Sequence, residues 1–318
     1  MRYALRCHLH RHRRPYHLRQ LSMVVAVADG NRARECRPDR RSREEGRNFR
    51  VGDVITRVGT PASPDGKISV TWGGFAEIGI AVDHWAMAED GLPPGEWEPH
   101  RRNQIMPAAI DPRVGPMFIT WRETMSTIQR MGVGEGANIL IVGSGGNGLS
   151  FAAHAHNLGA ARVVMVGSAR LREAATAKAG VDDYLDYREK ELTDALKDLI
   201  GDGFDFIIDA VGQVGVADRV IPSLKAGGKY CTYGVDNYGK VSINPTLARG
   251  SFTVHAAKYD EAEAHQTISE MVLQGKLDAT LWYDLDKTYP LDKIHQAYHD
   301  VIKERKSVKA LIDLNGKG

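Results

Sequence analysis

A glycine-rich turn between a short apolar segment and a helix-like segment constrains the fold of this chain most strongly. Residues 138–142 have the length and apolar character of a buried β-strand, and residues 149–158 have those of a helix. Between them, Gly143, Gly145 and Gly148 stand in G-x-G-x-x-G order. In this context the glycines allow a tight turn, the approach of a pyrophosphate to the backbone and close packing of the helix on the strand. The stretch predicts a dinucleotide-binding unit, with an ordinary glycine-rich turn as the alternative interpretation.

The start of the predicted helix is the expected phosphate site. Free N–H groups and the helix dipole favour negative charge there. The residues predicted to hold the phosphates of a dinucleotide are Gly143, Gly145, Gly146, Asn147 and Gly148.

Strand and helix patterns alternate along most of the chain. The predicted strands are 138–142, 162–166, 183–187, 204–211, 229–233 and 252–256, and the predicted helices are 117–131, 149–158, 169–179, 189–200, 216–224 and 261–274. Apolar strands that alternate with helices predict an α/β fold, namely a doubly wound parallel sheet of the Rossmann type with helices on both faces. Ligands of such sheets bind beyond the carboxyl ends of the strands. Four of these ends are followed by a glycine (Gly143, Gly167, Gly212 and Gly234), so four strands point to one crevice.

The composition is that of a globular protein with almost balanced charge. The 318 residues carry a formal net charge of +2, and 42% of them are hydrophobic. The three cysteines, Cys7, Cys36 and Cys231, are widely separated, so they form neither a disulfide framework nor a C-x-x-C zinc pair. No apolar run approaches the roughly 20 residues of a membrane span. These features predict a cytoplasmic protein in a reducing compartment, without a membrane or nucleic-acid partner.

The first 50 residues differ from the rest, because they contain 14 arginines and no lysine. Their apolar run, Met23–Val27, shows neither helical nor strand periodicity able to bury a face. A basic nucleic-acid arm, a transit peptide and a disordered or non-native start are the three interpretations. Few aromatic residues interleave with the arginines, and serine is scarce, which disfavours the first two. We therefore predict that residues 1–48 are a disordered or non-native start.

The segment from Phe49 to about Met106 is expected to be β-rich and irregular. The predicted elements outside the parallel sheet are strands at 49–56, 67–71, 73–81 and 307–314 and a helix at 291–302. The helix at 291–302 and the strand at 307–314 are expected to pack with the β-rich segment that starts at Phe49.

Five short motifs are distributed along the chain. They are 49–55 (FRVGDVI), 73–77 (GGFAE), 134–136 (GEG), 226–228 (AGG) and 309–312 (KALI). Together they resemble motifs of the medium-chain dehydrogenase/reductase family, whose members include zinc alcohol and polyol dehydrogenases. The resemblance covers about residues 49–314 and is strongest over the glycine turn and the strands that follow it.

The resemblance implies both an architecture and a reaction. It implies a β-rich, GroES-like catalytic domain, incomplete here, at residues 49–116 and 285–318, and a Rossmann domain at residues 117–284. It also implies hydride transfer between a nicotinamide and a small-molecule alcohol or polyol, or its carbonyl, and it is compatible with a homo-oligomer. A non-catalytic dinucleotide-binding module is the alternative from another functional class.

The zinc site of the family is not recognisable in this sequence. No Gly-His-Glu motif is present, and the position of a third ligand falls near Ile119 and Thr120, neither of which suits zinc. Cys36 lies within the arginine-rich start, and Glu123 and Asp111 are weak acidic alternatives. We therefore predict no zinc and assign no catalytic residue. A zinc-free branch of the family that reduces quinones or enones is the alternative activity.

The residues after the second strand favour NADP over NAD. An acidic residue about 20 positions beyond the glycine turn usually binds the adenosine ribose of NAD. Gly167 stands there, followed by Ser168 and Arg170, which offer a hydroxyl and a guanidinium to a 2′-phosphate. The NADP-dependent alcohol dehydrogenases of the family carry a similar Gly-Ser-Arg and a tyrosine after the third strand, where Tyr187 stands in this chain. NAD remains the alternative cofactor.

The nicotinamide half is predicted to lie beside the ends of two later strands. The residues predicted to line it are Val211, Gly212, Gly234 and Val235.

Overall fold

A computed structural model describes most of the chain. The described residues are 24–27, 47–50, 52–59, 79–168, 173–188, 192–236, 240–256 and 258–314. Their strands are β1 (Val24–Val27), β2 (Ile55–Thr56), β3 (Gln104–Ile105), β4 (Asn138–Val142), β5 (Arg162–Gly167), β6 (Asp183–Asp186), β7 (Phe204–Asp209), β8 (Leu224–Thr232), β9 (Thr253–Ala256), β10 (Thr288–Pro290) and β11 (Ala310–Asp313). Their α-helices are α1 (His84–Glu89), α2 (Pro94–Trp97), α3 (Gly115–Met131), α4 (Gly146–Asn157), α5 (Glu173–Lys178), α6 (Leu192–Leu199), α7 (Val216–Val220), α8 (His265–Leu273) and α9 (Ile294–Tyr298).

A six-stranded parallel sheet in the order β6-β5-β4-β7-β8-β9 forms the centre of the protein. The chain runs outward from β4 to β6, then returns to the other side of β4 and continues from β7 to β9. The strand order therefore reverses between β4 and β7, which is the switch point of a doubly wound sheet. The predicted Rossmann fold is confirmed.

Side chains of the central strand alternate between two cores, as the period of a strand requires. Ile139 and Ile141 of β4 face a core that includes helices α3, α4 and α8. Leu140 and Val142 face the opposite core, which includes helices α6 and α7. Because both faces are covered, the strands are apolar almost throughout, and this gives the near-continuous apolar runs in the sequence.

A second sheet, in the order β1-β11-β10, lies at the C-terminal end of the chain. Its central strand β11 pairs in parallel with both neighbours. Strand β1 comes from the arginine-rich start, where the sequence analysis predicts no strand. Its pairing partner lies almost 290 residues away, so nothing in the local pattern of residues 24–27 indicates it.

The segment before α3 departs from the β-rich expectation. Only the two-residue strands β2 and β3 and an isolated bridge between Gly59 and Ile80 are present among its described residues. Residues 84–100 form helices α1 and α2 and a 3₁₀ turn, with the Asp83 carboxylate accepting a hydrogen bond from the Ala86 N–H at the start of α1. The predicted strand at 67–71 and most of that at 73–81 lie outside the described residues.

Several predicted boundaries were wrong by a few residues. Helix α4 begins at Gly146 instead of residue 149, because its first turn is built from the glycines of the motif. Strand β8 begins at Leu224, five residues early, and its register against β7 shifts between the pairs Phe204–Leu224 and Phe206–Lys229. Residues 291–303 form one helical segment that passes from 3₁₀ through α9 to a π turn.

We expect the replacement Ile141→Ala to lower the free energy of unfolding by about 2–5 kcal/mol, because Ile141 is fully buried in the centre of the sheet. Val214→Ala is the control, since Val214 is 71% exposed, and we expect a change below about 0.5 kcal/mol. Equilibrium unfolding in urea measures both values. Equal effects of the two replacements would contradict the assignment of this core.

Candidate functional site

The turn after β4 has no room for side chains at two of its glycines. Gly143 has a φ of +109°, a conformation that favours glycine, and its N–H donates to the Val166 carbonyl at 2.7 Å. A Cβ added at Gly148 would overlap the carbonyl oxygen of Gly143. The first turn of α4 therefore packs directly on the backbone that leaves β4.

The middle of the turn is open, in contrast to its ends. A Cβ added at Gly145 would meet nothing within 4 Å, and the residue is half-buried. No side chain caps the start of α4 at Gly145. The Trp282 indole N–H donates to the Gly146 carbonyl at 2.8 Å, which fixes this turn from the other side. Gly145, Gly146 and Asn147 thus present an uncapped helix start to an open space, which suits an anion.

Lys309 supplies a positive charge at the same turn, and sequence reasoning missed its role. Its Cε would lie 3.0 Å from a Cβ added at Gly146, and its Nζ donates to the Thr120 hydroxyl at 3.2 Å. The side chain is completely buried, and this burial lowers the pKa of Lys309 to about 8, against the opposing effect of Glu123. The KALI motif contains this lysine, but only long-range contacts bring it next to a turn some 160 residues earlier: the Lys309 N–H donates to the Trp282 carbonyl at 2.8 Å, and the Trp282 indole donates to Gly146.

The residues predicted for the adenosine side meet at the ends of β5 and β6. The Tyr187 N–H donates to the Gly167 carbonyl at 3.0 Å. A Cβ added at Gly167 would overlap the hydroxyl groups of Ser144 and Tyr184. The Tyr184 hydroxyl donates to the Ser144 hydroxyl at 3.2 Å. Gly167 can therefore contact a ligand only through its backbone.

Two exposed side chains flank this position. Ser168 directly follows β5, and Tyr187 is 46% exposed, with its carbonyl held by the Arg219 guanidinium at 2.9 Å. The Asp186 carboxylate nearby is paired with the Arg188 guanidinium, so its charge is offset. Arg170 lies outside the described residues.

The residues predicted for the nicotinamide side lie on two touching loops. A Cβ added at Gly212 would overlap the Gly234 carbonyl, and one added at Gly143 would lie 2.8 Å from a Val211 methyl. The turn after β4 and the loops after β7 and β8 are therefore one contiguous surface. Val235 is 56% exposed at its edge.

Asp209 holds both loops in place. One carboxylate oxygen accepts the N–H groups of Val211 and Gly212 at 2.9 Å each, and the other accepts the Tyr230 hydroxyl at 3.1 Å. The Asp209 carbonyl accepts the Gly234 N–H at 2.9 Å. Burial raises the pKa of Asp209, and the two N–H groups oppose that effect. The sequence pattern did not indicate this role, because the loops it joins are separated by a helix and a strand.

The acidic residues considered for zinc are engaged in other contacts. Asp111 accepts two hydrogen bonds from the Arg113 guanidinium, and Glu123 accepts the Tyr233 hydroxyl at 3.1 Å. Thr120 accepts the Lys309 ammonium, and Cys36 lies outside the described residues. Within the part of the chain that the structure describes, no three histidine, cysteine or acidic side chains are placed to hold a metal ion. These residues do not fit a catalytic zinc.

Several known dehydrogenases and reductases are similar to this chain in sequence. The sequence model of the zinc-binding dehydrogenases matches residues 146–271. L-galactonate-5-dehydrogenase of Escherichia coli (strain K12) is 24% identical over 211 residues, which cover 65% of this chain and 61% of that protein. Quinone oxidoreductase of Sus scrofa is 25% identical over 280 residues, which cover 82% of this chain and 77% of that protein.

A solved structure extends the likeness to the fold. An oxidoreductase/dehydrogenase of unknown specificity from Escherichia coli superposes with a TM-score of 0.64 at 18% identity, covering 84% of this chain and 77% of that protein. This chain spans less than two thirds of the length of the L-galactonate dehydrogenase. None of the helices in the described residues is long and apolar enough to span a membrane. The matches agree with the motifs and with the sheet order: the dinucleotide-binding region of this chain is similar to that of the medium-chain dehydrogenases/reductases.

Proposed function

We propose that this protein transfers hydride between NADP(H) and a small alcohol or polyol, or the corresponding carbonyl compound. The observation that carries the proposal is the open, uncapped start of α4 at Gly145, with the buried Lys309 side chain packed against the neighbouring Gly146. A negatively charged pyrophosphate would accept hydrogen bonds from the free N–H groups of this first turn, in the field of the nearby cation. A relative that oxidises a sugar acid, as the name L-galactonate-5-dehydrogenase indicates, supports an alcohol or polyol substrate.

The residues around the cofactor have distinct roles in this proposal. Gly145, Gly146, Asn147 and Gly148 would bind the pyrophosphate together with Lys309. The 2′-phosphate would be held by Ser168, Arg170 and Tyr187 at the backbone of Gly167. Val211, Gly212, Gly234 and Val235 would line the nicotinamide, which supplies or accepts the hydride when bound. Asp209 would keep that lining rigid, because its carboxylate holds the loop after β7 and its backbone carbonyl accepts the Gly234 N–H after β8.

A second candidate is the reduction of quinones or enones without zinc. The specific support is the quinone oxidoreductase of Sus scrofa. It matches 82% of this chain, whereas L-galactonate-5-dehydrogenase matches 65%. Elemental analysis of the purified protein separates the two activities. About one zinc per chain would show that the chain holds a zinc site and would indicate a zinc-dependent dehydrogenase. Turnover of a quinone with NADPH by metal-free protein would establish the second candidate. NADPH binding without turnover would leave a dinucleotide-binding module.

A cytoplasmic homo-oligomer is part of the same proposal. Cys231 is a free, buried thiol, which fits a reducing compartment. Strand β9 is an edge strand of the central sheet, and its Val254 side chain is 52% exposed. An exposed sheet edge with an apolar side chain suits pairing with a second copy.

We expect Gly145→Ala to raise the dissociation constant for NADPH by about tenfold or more, about 1.4 kcal/mol. The new methyl group would enter the open space where the pyrophosphate approaches the backbone, without a clash inside the protein. Gly134→Ala is the matched control, because a Cβ added there also meets nothing within 4 Å. Fluorescence titration with NADPH and thermal unfolding measure both variants. Equal affinity of the two variants would overturn the phosphate site.

Arg170→Ala is expected to weaken NADPH binding by about tenfold or more and to leave NADH binding unchanged. The reason is that only NADPH carries the 2′-phosphate that a guanidinium can bind. The two nucleotides act as matched probes in one fluorescence titration. If the variant binds NADPH as tightly as the parent protein, the proposed cofactor preference is wrong.

We expect NADPH affinity to decrease as the pH rises above about 8, because the Lys309 ammonium loses its proton near that value. Lys309→Met should weaken binding by about 10- to 100-fold at neutral pH and abolish this pH dependence. Lys225→Met, at an exposed lysine that pairs with Asp205, should retain both the affinity and the dependence. Titrations with NADPH from about pH 7 to about pH 9.5 test this. A variant that keeps the parent pH profile would contradict the role of Lys309.

A further inference from the structure

A cluster of buried charges and phenols lies beside the cofactor turn, and the proposed function does not use it. Its members are Arg57, Arg122, Glu123, Tyr233, Tyr259 and Glu261. Arg57 reaches the cluster from the segment after β2 with a φ of +62°, an uncommon conformation for a residue with a side chain. Strain of this kind is concentrated at functional sites.

The two carboxylates of the cluster have different partners. Glu261 accepts the Arg57 guanidinium at 3.0 Å and the Arg122 guanidinium at 2.8 Å. Glu123 has only the longer contact to Arg57, at 3.4 Å, and accepts the Tyr233 hydroxyl at 3.1 Å. Two guanidinium groups therefore pair with Glu261. Burial raises the pKa of Glu123 and the nearby Glu261 raises it further, while Arg57 and the Tyr233 hydroxyl oppose the shift. Burial thus favours the protonated form of Glu123.

The cluster adjoins the place proposed for the nicotinamide. Tyr233 directly precedes Gly234, and its ring packs against Phe151 of α4 with centroids 4.9 Å apart. One turn before Glu123 on α3, Thr120 binds the Lys309 ammonium that lies against the glycine turn. The cofactor turn, Lys309 and helix α3, which carries Glu123, are thus linked by direct contacts.

Tyr259 connects this buried carboxyl with open space. Its ring centroid lies 6.4 Å from that of Tyr233, whose hydroxyl donates to Glu123, and Tyr259 interacts electrostatically with the same carboxyl group. Unlike Tyr233, it is 39% exposed, and it lines a cavity of about 270 Å³ together with Arg101, Arg102 and Glu261. Burial and the neighbouring Glu123 raise the pKa of Tyr259, so its hydroxyl keeps its proton at neutral pH.

We propose that Tyr259 is the proton donor to the substrate oxygen and that Glu123, behind it, replaces the proton. This inference rests on the proposed function, because the hydride comes from reduced nicotinamide. A carbonyl group would lie in the cavity, with its oxygen at the Tyr259 hydroxyl.

The proposed step balances as follows. The hydride and its electron pair form the new C–H bond, and the C=O π electrons form the O–H bond with the Tyr259 proton. The Tyr259 oxygen takes the proton of the Glu123 carboxyl. The products are the alcohol, oxidised nicotinamide, neutral Tyr259 and ionised Glu123, which water in the cavity reprotonates. General acid catalysis of this kind contributes about 10²- to 10⁴-fold.

The pH dependence follows from the protonated form of Glu123. Its titration is set by the groups that face it, which are Arg57, Tyr233, Tyr259, Glu261 and Lys309, with Arg122 beside it on α3. Reduction should fall as the pH rises through the pKa of Glu123. Tyr233→Phe removes a hydrogen bond that stabilises the carboxylate, so the midpoint of the profile should move to higher pH.

The test uses the full chain with NADPH and two carbonyl probes, benzaldehyde and 1,4-naphthoquinone. We expect Tyr259→Phe and Glu123→Gln to lower the rate of reduction by about 100-fold and to leave the dissociation constant for NADPH unchanged. Glu123→Asp should restore part of the rate, and Tyr233→Phe should retain turnover with the shifted midpoint. Tyr259 is partly exposed, so its variant remains informative if Glu123→Gln fails to fold. Parent-like rates and profiles in all these variants would overturn the inference.

Infrared spectroscopy of the cofactor-free protein gives a readout that does not require turnover. The C=O stretch of a protonated carboxyl group should titrate with pH in the parent protein, should be absent in Glu123→Gln and should titrate at higher pH in Tyr233→Phe. Absence of such a band from the parent protein would overturn the role of Glu123. Failure of the parent protein to bind NADPH would instead overturn the proposed function, so the two failures are distinguishable.

Discussion

The packing of α4 on the backbone that leaves β4 is the constraint on which the rest of the site depends. The helix can approach this closely only because Gly148 has no side chain beside the Gly143 carbonyl. That approach places the uncapped start of α4 above the end of the central strand, at the switch point of the sheet. The loop after β7 touches the same turn, since Gly143 leaves no space next to Val211, and the loop after β8 packs on the loop after β7 at Gly212 and Gly234. A series of close backbone contacts thus joins the three loops.

The charge at this turn comes from the other end of the chain. Removing the Lys309 ammonium from water is costly, and its lowered pKa of about 8 reflects that cost. The ammonium keeps its proton at neutral pH, with the Thr120 hydroxyl and the field of Glu123 as partial compensation. The sheet of β1, β10 and β11 therefore contributes to the site through one side chain, and the cofactor half and the C-terminal end of the chain are energetically coupled.

The sequence predicts what depends on neighbouring residues and misses what depends on long-range pairing. The glycine turn, the alternating strands and the glycines at their ends are local patterns, and the parallel sheet appeared as expected. Asp209 and Lys309 escaped notice, because their partners lie in loops and strands far along the chain. Strand β1 was missed for the same reason. The helices at residues 84–100 were missed because short, capped turns have no apolar period that could separate them from irregular β structure.

Helix α3 joins the two halves of the proposed chemistry. Its Thr120, Arg122 and Glu123 lie within one turn, and each contacts a different part of the molecule: Lys309 from β11's lead-in, Glu261 before α8, and Tyr233 after β8. A helix fixes the spacing of such side chains to about 1.5 Å of rise per residue, so the phosphate-side cation and the proton-holding carboxyl cannot move independently. The resemblance to zinc dehydrogenases implies a metal ligand near Ile119 and Thr120 of this helix, and neither side chain suits zinc. The buried charges found there can act differently. Two guanidinium groups pair with one carboxylate, and burial raises the pKa of the second, which lies near a partly exposed phenol; general acid catalysis requires a group of this kind.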